Sequence, residues 1–115
     1  MPWKLTVRAG SRVERLHFDR AVAGLQALEA RARELSGAAP RERLDIRYKR
    51  YEPVQLVFAR LELSGPERLM PSIRVGLDVR GDGSVQAYRG RLKREVIEPA
   101  QGESSYAALR RTVET

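Results

Sequence analysis

Few residues in this chain are of the kinds that make or break bonds, and their spacing limits what they can do. One histidine, His17, is present, so a two-histidine metal site is excluded and a serine–histidine device has to use it. Asp19 faces the same way as His17 only if a strand persists that far. The competing role for Asp19 is to cap the helix that follows, leaving His17 a partly exposed strand residue. Cysteine is absent, which removes thiolate chemistry, disulfides and cysteine-ligated metal. Some metal-dependent nucleases pair an acid with a lysine two positions later, but Pro2, Arg47 and Arg91 precede Lys4, Lys49 and Lys93 at that spacing. Glu62 and Asp78 remain as a general acid–base pair assembled across strands, against the simpler role of balancing nearby arginines. Neither a G-x-S-x-G elbow, a P-loop nor a G-x-G-x-x-G stretch occurs. The expectation is a protein that is not an enzyme, with no catalytic residue, no metal and no cofactor.

The stretch "DVRGDG", Asp78 to Gly83, has the letters of a calcium loop and of an adhesion tripeptide. The calcium template fails because Arg80 and Arg89 stand at its third and twelfth positions, where oxygen ligands are required. An adhesion role for Arg80-Gly81-Asp82 lacks a secreted context. A hairpin turn accounts for the residues better. A three-residue loop, Gly81-Asp82-Gly83, pairs Val79 with Val85, Leu77 with Ala87 and Gly76 with Tyr88, which keeps apolar residues on one face. Gly83 then takes the left-handed position of that loop, and Tyr88 covers the bare backbone of Gly76.

What remains is charge. The formal net charge is +7 and the pI near 10.5, a balance that favours polyanions. Nineteen of the 22 basic residues are arginine, a bias that codon usage in a GC-rich genome also produces. If a helix covers one face of a sheet, the other shows many of Lys4, Arg8, Arg47, Lys49, Arg74, Arg80 and Tyr88, with Arg89, Arg91, Lys93 and Arg94 near one edge. The candidate anion or nucleic-acid site is therefore Arg47, Lys49, Arg80, Tyr88, Arg89, Arg91, Lys93 and Arg94: cations for phosphates, with an aromatic ring for a base. Asp45, Asp78 and Glu95 lie among them, and no RNP-type motif is present.

These side chains need a scaffold. "WKLTVRAG" alternates Trp3, Leu5 and Val7 with polar residues, a strand with one buried face, and Gly10-Ser11 turns it into a hairpin over 3–18. The apolar positions of the returning strand change phase between Val13 and Leu16, which predicts a bulge there. A helix over 20–36 follows, with Asp19 as N-cap, Val22, Leu25, Leu28, Ala32 and Leu35 as its apolar stripe and Gly37 as its stop. Strands occupy about 43–97. Leu44, Ile46 and Tyr48 begin the first, which Pro53 interrupts, giving two strands or one sharp kink. Overlapping phases in "VQLVFARLELS" predict a strand buried on both faces or a bulge near Ala59. Leu92, Val96 and Ile97 continue the strand after Tyr88, bulged near Gly90. Ser104 or Ser105 caps a last helix, about 104–113, which docks on its own domain or on a second copy.

A chain of 115 residues accommodates one such domain, residues 1–115. The fold expected is α+β: a mostly antiparallel sheet of five or six strands, one long helix on one face and a short C-terminal helix. "MPWKLTVRAG" has no signal-peptide core and no run is long enough to span a membrane, so the expected location is cytoplasmic. The expected function is a basic interaction module for an acidic partner, nucleic acid or an acidic protein. The competing expectation is a structural protein that forms homo-oligomers through a strand edge or the C-terminal helix.

Overall fold

The computed structural model describes residues 3–39, 44–46, 49–51, 57–67, 71–90 and 94–114. β1 (Trp3–Ala9) and β2 (Arg12–Phe18) form the first hairpin, and α1 (Ala21–Ala38) follows. Among the described residues, β3 (Leu44–Ile46) and β4 (Lys49–Tyr51) pair only with each other. β5 (Val57–Glu67), β6 (Pro71–Arg80), β7 (Val85–Arg89) and β8 (Glu95–Val96) complete a six-stranded antiparallel sheet of order β2-β1-β5-β6-β7-β8, and α2 (Ser105–Glu114) ends the chain. The single α+β domain with its long helix on the sheet is as expected.

Period-two alternation assigns the faces. Leu5, Leu63 and Val75 stand opposite one another across three strands, as do Val7, Leu61 and Leu77. All six are buried beneath Leu25, Leu28, Ala32 and Leu35 of α1. Helix α2 closes the same layer, with Ala108 and Leu109 in the core. Its first turn is capped at Ser104, whose Oγ accepts from the Ala107 amide at 3.1 Å. The hydroxyl of Ser105 donates to the Val85 carbonyl at 2.7 Å and holds the helix against β7. The tail helix thus packs on its own domain.

The β6–β7 hairpin has the expected register, with Val79 opposite Val85 and Gly76 opposite Tyr88. Gly83 has φ 89, the left-handed position of the turn, and its carbonyl accepts from Ser36 Oγ at 2.5 Å, which ties the turn to the end of α1. A β-carbon at Gly76 would meet the Leu61 carbonyl oxygen and the Tyr88 ring. The expected bulge near Ala59 is also present, as a register shift between Val57 and Ala59.

Several expectations are corrected. The β1–β2 register runs without a bulge from Trp3–Phe18 to Ala9–Arg12. Val13, opposite Arg8, is 41 % exposed, while the position opposite Val7 is taken by Glu14, which pairs with Arg31 of α1 at 2.6 Å. An edge strand at the margin of the helix has no need of an apolar residue at every inner position. Asp19 does not cap α1. Arg20 occupies the N-cap position with extended backbone and no side-chain bond, which puts Asp19 one residue too early. Val22 is 58 % exposed; at 3.6 residues per turn it lies roughly 60° outside the arc of the buried stripe, and Ala21 packs against the core instead. Gly37 lies inside the helix, whose C-cap is Ala39. The chain after Tyr88 does not continue outward. It turns at Gly90, with φ 100, and β8 comes back antiparallel along β7, pairing Val96 with Tyr88. The segment that begins at Leu44 is divided between two antiparallel strands, β3 ending at Ile46 and β4 beginning at Lys49, and Pro53 lies outside the described residues. Among the described residues no helix is long and apolar enough to cross a membrane.

Candidate functional site

The face of the sheet opposite α1 carries the in-between residues of each strand. Register places them in three rows. His17, Lys4, Ser64 and Arg74 form one; Arg15, Thr6, Glu62, Gly76 and Tyr88 the next; Val13, Arg8, Arg60, Asp78 and Gln86 the third. Thr6, Ser64 and Gly76 are short, and long basic side chains stand around them. The result is a depression of about 240 Å³ lined by Lys4, Thr6, Arg8, Arg15, Arg60, Glu62, Ser64, Arg74 and Arg94.

Six cations and one carboxylate line it, but not all the cations are available. Arg60 clamps Asp78 with Nε and Nη2 at 2.7 and 3.2 Å, a bidentate bond that holds the guanidinium in its charged form and pushes its pKa up. Arg74 donates through Nη1 to Glu62, while its buried Nε has no acceptor among the described residues. Glu62 and Asp78 are therefore locked to arginines rather than poised as an acid and a base. Lys4, Arg8 and Arg15 have no carboxylate partner among the described residues.

Tyr88 does not present a ring to solvent. It is 3 % exposed, with the Arg94 guanidinium 5.0 Å and that of Arg60 5.9 Å from its centroid. Its hydroxyl lies 3.5 Å from Glu62 Oε2. Burial first, and the Glu62 carboxylate second, push the phenol well above its ordinary pKa. A buried ring is not a stacking platform for a base; Tyr88 instead supports Arg94 from below.

Of the other residues expected at the site, Arg80 sits at the end of β6 and donates to Gln86 Oε1 at 2.9 Å. Arg89 lies opposite Val75, on the parity of the helix-covered face, and pairs with Glu95 at 3.1 Å. Arg94 joins the depression. Arg47, Arg91 and Lys93 lie outside the described residues; Lys49 belongs to β4, but its side chain is not described. Arg15 and Arg60 were missed. Arg15 is hidden by the phase change at Val13, and Arg60 by the overlapping phases around the bulge before Ala59.

A larger depression, about 500 Å³, opens between α1 and the end of the first hairpin beside Val7, Ala9 and Leu35. Its Arg31 and Glu14 are bonded to each other, so it offers less unspent polar chemistry than the open face. His17 is exposed opposite Lys4. No group of three or more metal-ligating side chains occurs among the described residues. Compared with known proteins, the chain matches no family model, no curated protein and no solved structure.

Proposed function

We propose that this protein is a non-enzymatic interaction module whose open sheet face binds an acidic partner, with nucleic acid the partner best suited to it. One observation carries the reading: Lys4, Arg8 and Arg15 project from adjacent strands with no carboxylate partner among the described residues, beside arginines already fixed by Glu62 and Asp78. Phosphates along a nucleic-acid backbone supply the charge such a face lacks, and contacts of this kind are steeply salt-dependent. The proposed setting is the cytoplasm.

The test is fluorescence anisotropy with labelled single- and double-stranded oligonucleotides at low and near-physiological salt. Combined reversal of Lys4, Arg8 and Arg15 to Glu is expected to abolish binding, and unchanged affinity would reject this face. Reversal of Arg80, Arg89 and Arg94, with Arg91 and Lys93, probes the edge segment separately.

A second reading, assembly of copies through a sheet edge, has its own support. Among the described residues β2 is an edge strand of the sheet, and its Val13 and Leu16 are 41 and 39 % exposed. Arg12, Glu14 and Arg15 interrupt that edge, a charge pattern that discourages strand pairing. Sedimentation at raised salt separates the two, since an apolar interface persists where phosphate contacts weaken.

A further inference from the structure

We infer that the depression on the open face is a seat for a terminal phosphomonoester, so that the module recognises the phosphorylated end of a nucleic-acid strand rather than its interior. The inference rests on the proposed function and names the group that the face takes.

The first argument is the shape of the rim. Thr6 forms the floor between the rows beside Glu62, whose carboxylate is taken up by Arg74, and the short Ser64 stands in the row with Lys4 and Arg74. Lys4 and Arg74 stand in the row on one side, Arg8 and Arg60 in the row on the other. Arg15 from β2 closes one flank, and Arg94, resting on Tyr88, closes the other. Lys4 and Arg8 are about 13 Å apart along β1, a gap that side chains of their length narrow from both ends. A site rimmed on four sides admits a group end-on. A diester inside a strand has to enter and leave past these side chains, whereas a terminal group needs only one approach.

The second argument is charge. A phosphomonoester carries about −1.5 to −2 at neutral pH, against about −1 for each backbone diester. The cations without carboxylate partners among the described residues, Lys4, Arg8, Arg15 and Arg94, favour the more highly charged group. Charge-assisted bonds from guanidinium to phosphate are the strong ones of their class.

The third argument is size and surface chemistry. About 240 Å³ is below the roughly 300 Å³ at which pockets for drug-sized ligands begin, so it suits a small charged group. With Tyr88 buried, no aromatic ring among the described residues lines the depression to read a base. Recognition is therefore of the end group, with little preference for sequence.

The experiment compares the full chain's affinity for one oligonucleotide carrying a 5′-phosphate, a 3′-phosphate or hydroxyls at both ends, with inorganic phosphate as competitor. A preference on the order of tenfold for a phosphorylated end, reversed by competing phosphate, is expected, and the two phosphorylated arms report which terminus is seated. Thr6→Leu fills the floor without changing charge. It is expected to erase the preference while leaving the salt-dependent binding of the hydroxyl-ended strand. Arg8→Gln with Arg15→Gln, both exposed and without ion pairs among the described residues, should lower both, with thermal unfolding confirming an intact fold. Equal affinity for all three strands overturns the end-group inference and leaves the basic face standing. Binding of none overturns both. A preference that survives Thr6→Leu in a folded protein places the end-group site elsewhere and overturns the assignment.

Discussion

Along β5 and β6 successive residues belong to two different environments. Leu61, Leu63, Val75 and Leu77 lie sealed under α1, while Arg60, Glu62, Arg74 and Asp78 stand on the opposite face. The covered face is held by apolar burial, which is non-directional and tolerant of exact geometry. The open face is organised by directional bonds: Arg60 to Asp78, Arg74 to Glu62, and the arginines around Tyr88. Acids on the open face do not neutralise it evenly. They fix two arginines toward β6 and, among the described residues, leave Lys4, Arg8 and Arg15 of β1 and β2 unspent, which is what makes one part of this face a candidate site and the rest scaffold.

The difference is sharpest in stability. Leu61→Ala, on the sealed side, should cost about 2–5 kcal/mol, read from the urea midpoint; a loss below half a unit of that scale would mean the sheet centre is not packed as described. Gly76→Ala is expected to cost about 1–3 kcal/mol or more, because its β-carbon would meet the Leu61 carbonyl and the Tyr88 ring. A neutral effect would show that Tyr88 moves aside easily. Arg60→Ala strips the partner from Asp78, itself largely buried, and should cost about 1–3 kcal/mol; Arg60→Ala combined with Asp78→Ala should recover part of that.

Tyr88, buried among the arginines of the open face, has a pH signature. Its phenol binds its proton more tightly in the folded protein than in the unfolded chain, because burial and Glu62 disfavour the phenolate. Its contribution is complete below the ordinary phenol pKa of about 10 and is lost as pH rises from there toward the folded value. The urea midpoint should fall over that alkaline range, and less so in Tyr88→Phe. The smallest stability effect is expected for Lys4→Gln, Arg8→Gln and Arg15→Gln, within about 0.5 kcal/mol each, although these changes should weaken polyanion binding most. Large destabilisation by any of the three would mean that these cations serve the fold.

The sheet was legible where alternation is clean. Val75, Leu77 and Val79, with the Gly81-Asp82-Gly83 turn, led directly to the observed pairing of β6 with β7. Tyr88 was placed correctly over Gly76, but its role was not. A tyrosine among arginines has the composition of a stacking site, and only the return of β8, with Arg94 above the ring, buries it. Arg89 and Arg94 look like one basic cluster in sequence, yet Arg89 falls on the other parity and is bonded to Glu95. Arg15 escaped notice because Val13 and Leu16 on an edge strand point to opposite faces, and a phase rule presumes that one face is fully covered.

Local pattern by itself determined the type of each main element, the α+β class, the turn chemistry at Gly83 and the poverty of catalytic groups, because these depend on neighbours within a few residues. Tertiary structure decided which strands adjoin, that α2 docks on its own core, and which acids meet which arginines. The last matters most for function. Whether a cation is spent or available depends on carboxylates such as Glu62 and Asp78 that lie far from it in sequence, and an ion pair forms only where the fold brings its two ends within a few ångströms.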